Sequence, residues 1–201
     1  MSEPQHNPAK VTIYPGVRFG RNVRVHDFCV IGMPSRGKEP GEVETVIGDN
    51  ATIRPFTTIY AGARIGADFQ CGQGVTIREK NVIGDNCSVG SGADLENGNR
   101  IASNVRIHSK AGIEQSVIEE HVLIGPYALF LGDPHPVCPR YDECVGGAVV
   151  KHHARVGGLV IVNPGVTIGE NSLIGSGTLV NSDVPANTVF FGHPGKPRRR
   201  I

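Results

Sequence analysis

Residues 131–148, LGDPHPVCPRYDECVGGA, crowd proton-transferring, nucleophilic and metal-ligating side chains into one short stretch: Asp133, His135, Cys138, Tyr141, Asp142, Glu143 and Cys144. An imidazole, with an ordinary pKa of about 6.5, removes and returns protons at neutral pH. His135 is therefore the first candidate for a general base, set against the simpler reading of a loop histidine that only hydrogen-bonds locally. Asp133 either orients that imidazole, contacts a substrate or forms the turn before Pro134. His108 is a second base candidate, and Ser109, Lys110 and Glu114 beside it can meet a substrate; for Lys110 and Glu114 the alternative is solvated charge. The basic run of Lys196, Arg198, Arg199 and Arg200 offers cations for phosphate groups, or is a solvated tail. The spacing His135-x2-Cys138-x5-Cys144 is not a strong zinc pattern, and no metal is expected. No cysteine has an evident activating environment, so covalent catalysis through a thiol is not expected either.

Such groups need a scaffold, and it is written in a period of six. Ile47, Ile53, Ile59, Ile65, Cys71, Ile77, Ile83, Val89, Leu95, Ile101, Ile107 and Ile113 follow one another at that spacing. The fourth residue after each is often small or β-branched, as at Ala51, Thr57, Ala63, Val75, Cys87, Ala93, Val105, Ala111 and Val117. Neither helical nor simple strand alternation gives this pattern, and chance in an ordinary β-rich chain does not sustain it over twelve repeats. A six-residue period marks a parallel β-helix, all-β, in which each hexad is a short strand plus a corner and three hexads close a triangular coil. Residues eighteen apart then stack. The repeat starts near Ile13, breaks at 33–46, shortens to five residues between Ile113 and Ile118, breaks again at 131–148 and resumes at Val150. About 25 hexads make roughly eight coils. The reading is one domain over 1–201, with a loose N-terminus (1–10), two ejected loops and a short C-terminal extension (185–201).

Composition agrees. Gly at 27, aromatics at 5% and no Trp suit a thin prism lined by Ile and Val. A net charge of +1 gives no bulk pull toward nucleic acid or an anionic membrane. No apolar run reaches the roughly 18 residues of a membrane span, and none resembles a signal peptide. Cys71 and Cys87 fall at inward positions as small buried hydrophobes. A reduced, cytoplasmic protein is expected.

Three stretches carry a resemblance to the hexapeptide-repeat acyltransferases, which form a left-handed β-helix. Val122–Pro136, VLIGPYALFLGDPHP, resembles the loop entry of bacterial nucleotide-sugar N-acetyltransferases acting on amino sugars; VGGLVIVNPGVTIG (156–169) resembles their coenzyme A-holding coils; DVPANTVFFGHPGK (183–196) resembles the segment laid over the coenzyme. Arg24-Val25-His26-Asp27-Phe28 is similar to a motif in that group's first coils. The amino-sugar enzymes carry Asn where this chain has His135; a His followed by Pro there resembles the maltose and galactoside O-acetyltransferases, in which that His is the general base. The resemblance implies an acetyl-CoA-dependent transferase in which an amine, or alternatively a hydroxyl, of a sugar or nucleotide sugar attacks the thioester directly. It implies coenzyme contacts at Gly157, Gly158, Gly175, Ser176, Gly177, Lys196 and Arg198. His193, in a Gly-His-Pro-Gly turn, either joins them or shapes the turn. It also implies a homotrimer with sites between subunits, so that His108 and His135 of different chains face one site. The competing readings are a γ-type carbonic anhydrase, whose His spacing is missing, and a non-catalytic β-helical scaffold.

Overall fold

The computed structural model describes residues 3–7, 9–134 and 146–200. Its strands form three sheets of nine, eight and ten members, parallel except for the final strand and visited in rotation as far as Leu179–Val180, so that the chain winds as a triangular β-solenoid. The three-strand coil agrees with the expected left-handed β-helix. Most strands are two residues long, the first turned out and the second in, as in Arg64–Ile65, Arg100–Ile101 and Arg106–Ile107. The inward residues stack in register: Ile59, Ile77, Leu95 and Ile113 on the first face, Ile47, Ile65, Ile83 and Ile101 on the second, Cys71, Val89 and Ile107 on the third. All of these are at most 3% exposed. This aliphatic column, together with backbone hydrogen bonds from coil to coil, holds the prism.

The irregularities fall where the period breaks. Ile31 pairs with Ile59, 28 residues on rather than 18, so ten extra residues leave between Val30–Met33 and Thr45–Ile47. Ile113 pairs with Phe130, 17 on, which absorbs the five-residue hexad. Phe130 pairs with Val162, 32 on, so fourteen extra residues leave between Leu129–Phe130 and Val149–Val150. The short hexad also moves a corner: Ser116 is fully buried there, whereas Val117, which the six-residue count puts at the fourth position like buried Ala93 and Ala111, is 39% exposed. The C-terminal extension begins by adding one more rung. Thr188–Gly192 continues the third face, Phe190 stacks over Ile174 at 1% exposure, and only then does the chain reverse into an antiparallel hairpin with Gly195–Arg200.

Each edge carries a column of left-handed residues. The second-to-third edge uses Asn22, Asn50, Asp68, Asn86, Asn104, His121, His153, Asn171 and Asn187. Asn tolerates this conformation best after Gly, and several side chains link upward, as Asn86 does to Asn104 at 2.8 Å. The third-to-first edge is different: Phe28, Phe56, Gly74, Gly92, Lys110, Tyr127, Leu159 and Gly177.

Candidate active site

The third-to-first edge gathers most of the predicted site residues. Its column is continuous: Gly74 donates its N–H to the Pro55 carbonyl, Gly92 to Gln73, Lys110 to Ser91, Tyr127 to Ser109, Leu159 to Pro126 and Gly177 to Gly158. His108 follows the strand Arg106–Ile107 and is exposed at this edge. One and two coils above it stand Gly125 and Gly157, since the His108 N–H donates to the Ile124 carbonyl and the Gly125 N–H to Val156. Gly175 lies above Gly157, and Phe191 above Gly175. His108, Gly157, Gly158 and Gly175–Gly177 therefore share one edge of one chain.

The glycines have two different causes. A Cβ on Gly157 would meet Ser176 N at 2.7 Å, and one on Gly175 would meet Phe191 Cβ at 2.8 Å, so coil packing alone requires glycine there. Gly158 is tighter than ordinary contact against Pro126 O at 3.1 Å, whereas Gly177 faces open space at φ +71°. The open backbone at Gly177 can approach a ligand. At the top of the edge the Arg198 guanidinium lies 4.8 Å from the centre of the Phe191 ring, and its Nε donates to the Phe191 carbonyl at 3.3 Å. Lys196 and His193 are exposed on the same hairpin.

The residues His108 to Glu114 divide between two grooves. His108 and Ser109 open onto the third face, in a groove lined also by Arg54, Gln70, Ser88 and Arg106. Lys110 and Glu114 open onto the first face with Asp94, Glu96, Leu129 and Leu131. Burial raises the pKa of Asp94 and of Glu96; at Glu96 the neighbouring Asp94 adds to it, outweighing Arg78 at 3.2 Å. Arg54, Arg106, Asp94 and Glu96 escaped the sequence reading; the available signal is the outward residue before or after each inward aliphatic.

The second loop leaves from another edge, between the first and second faces. Glu114 holds its root, accepting the Gly132 N–H at 3.0 Å, so its carboxylate is engaged by the loop as well as facing the groove. Asp133 is half-buried at this root. His135, Cys138 and Cys144 lie outside the described residues. Cys29, Cys71 and Cys87 are buried free thiols. Burial pushes Cys29 to about 11 and raises Cys71 and Cys87, so none of the three is a poised nucleophile. Among the described residues no three His, Cys, Asp or Glu side chains gather as a metal site, and no helix is long and apolar enough to cross a membrane.

No protein-family model matches the chain. It is 38% identical over 91 residues to a galactoside O-acetyltransferase of Lactococcus lactis, a stretch covering 42% of each chain. It is 33% identical over 96 residues to the galactoside O-acetyltransferase of Escherichia coli, covering 39% of this chain and 47% of that one. The matched stretch thus spans less than half the length of these relatives. Over its whole length the fold is similar to the UDP-N-acetylglucosamine acyltransferase of Francisella novicida, with a TM-score of 0.58, 17% identity and 70% of that chain covered. Fold and similarities together support a place in the hexapeptide-repeat acyltransferase superfamily.

Proposed function

We propose that this chain is an acetyl-CoA-dependent acetyltransferase acting on the amino group of a nucleotide-linked sugar. The observation that carries the reading is the third-to-first edge, where an exposed imidazole and open glycine backbone stand in one column below a basic hairpin. The residues suit the coenzyme: Gly177 presents approachable backbone for its arm, Gly158 stands one rung below it, and Arg198 with Lys196 offers cations for its phosphates. When bound, acetyl-CoA supplies an acetyl group activated as a thioester. His135 is the proposed general base, taking the proton from the attacking amine, with His108 the second candidate and Asp133 orienting the imidazole or holding the acceptor. Ser109, Lys110 and Glu114 then flank the acceptor. Buried thiols favour direct attack over an acyl-cysteine. They also suit a reducing compartment, so we place the enzyme in the cytoplasm. Because the loop and His108 leave from different edges of one chain, a homotrimer with sites between subunits is the assembly that lets both serve one site.

A second reading, O-acetylation of a sugar hydroxyl, is favoured by the similarity to the two galactoside O-acetyltransferases. Thiol release from acetyl-CoA, measured with amino-sugar nucleotides and with simple galactosides, separates the two. In the productive assay His135→Ala should lower kcat by about 100-fold or more while the oligomer persists. An unchanged kcat removes His135 from the mechanism. Turnover with neither acceptor class contradicts both readings.

A further inference from the structure

Two bulky side chains on the third-to-first edge sit where bulky side chains are disfavoured. Phe28 and Phe56 adopt φ of 62° and 63°, a conformation that bulky L-residues avoid. Burial does not repay it, for they are 52% and 63% exposed. Their rings stack on each other, centroids 5.2 Å apart and planes 11° from parallel. The lower end of this stack is closed: Lys10 Nζ lies 5.7 Å from the Phe28 ring centre and pairs with Asp27 at 2.9 Å. The upper end is open. The next rung is Gly74, where an added Cβ would meet nothing within 4 Å, and on the rung after that the Lys110 side chain folds back over Gly92, its Nζ 2.6 Å from where a Cβ would stand. The edge thus holds an aromatic floor, one vacant rung and an ammonium above it. Beside this bay the third-face groove runs from Arg54 to Arg106 and His108.

We infer that this bay is a nucleotide subsite: a planar base continues the stack over Phe56 in the rung left open by Gly74, and the diphosphate lies toward Lys110, Arg54 and Arg106. A base has a π-face for the ring below, and the cations match the charge that follows it. The geometry meets the reactive end. Three coils separate Phe56 from His108 and Lys110, about 14 Å at the usual strand spacing, which is a length an extended nucleoside diphosphate spans. The inference deepens the proposed acceptor class and rests on that reading for its biological use.

The test titrates the intact protein with UDP and with dTDP, no coenzyme present. Phe56→Gly removes the ring at a φ that glycine adopts freely. Gly74→Leu fills the vacant rung with a residue that the same column already carries at Leu159, φ 58°. The wild type should bind at least one nucleotide, and each variant should weaken it about tenfold or more, with acetyl-CoA affinity and sedimentation coefficient unchanged. Wild-type protein that binds neither nucleotide, or variants that bind as well as wild type, would overturn the inference. A changed assembly mass in Phe56→Gly with nucleotide affinity intact would assign the pair to contact between copies, and overturn it too. Failure of the wild type to bind acetyl-CoA would sink the transferase reading alone, since the nucleotide titration requires neither coenzyme nor turnover.

Discussion

Asn99 should be among the most costly single residues to truncate outside the aliphatic column. It is fully buried at the first-to-second edge, where the other edges use small or apolar corners. Its Nδ2 donates to Asn81 Oδ1 at 2.9 Å, the Glu96 carbonyl at 2.8 Å and the Ile113 carbonyl at 3.0 Å, and its Oδ1 accepts the Ser116 N–H at 2.9 Å. Asn99→Ala strands the Ser116 N–H and the Asn81 Oδ1 in the interior. A stranded buried group costs about 1–3 kcal/mol, so two or more that share a site should cost about 3–5 kcal/mol together. Asn86→Ala is the control. Asn86 is exposed, makes one side-chain bond to Asn104, and sits at φ 53°, so its loss should cost only about 1–2 kcal/mol. Urea unfolding followed by circular dichroism compares the two, and hydrogen exchange at Ser116 and Val117 locates the damage. An Asn99→Ala midpoint shifted no further than that of Asn86→Ala would refute the argument that this edge is held by a buried polar chain.

Three further outcomes follow from the same geometry. Gly157→Ala should destabilise by about 1–3 kcal/mol through overpacking against Ser176, whatever happens to coenzyme affinity, while Gly158→Ala should cost less in melting temperature than Gly157→Ala. Glu96→Gln should gain stability relative to wild type as pH rises from 3 to 7: the folded-state pKa is raised, so the wild type's extra stability is present below the unfolded pKa and lost as pH climbs through the folded one. A difference that is flat with pH would contradict the burial of that carboxyl. Iodoacetamide at pH 8 should leave Cys29, Cys71 and Cys87 unmodified in the native protein and label them after unfolding, read by peptide mass.

The coils were legible because each inward residue repeats one physical demand, an apolar side chain that fills a narrow prism, and the eleven aliphatics and Cys71 spaced from Ile47 to Ile113 are all buried. Loop positions followed from the same count, since only an ejected segment lets Phe130 stack on Val162. Corners were harder. Asn81 and Asn99 look like surface residues by type, yet they are buried because a carbonyl of the next coil lies within reach of each. Val117 was misplaced because a five-residue hexad moves the corner to Ser116. The strand Thr188–Gly192 was hidden by its 16-residue offset from Leu173–Ile174. At the site, His108 and the glycines proposed to hold the coenzyme could be matched in sequence, but their shared edge could not be seen without counting each coil's insertions. The same obstacle hid Phe28 and Phe56, which are 28 apart and adjacent in space.

Calorimetric titration of the purified protein with acetyl-CoA tests the central claim most directly. The account predicts saturable binding in the micromolar range at roughly one per chain, weakened when Arg198 and Lys196, the cations proposed for the coenzyme phosphates, are both changed to Ala. Absence of binding at millimolar acetyl-CoA by protein that is folded by circular dichroism would contradict it.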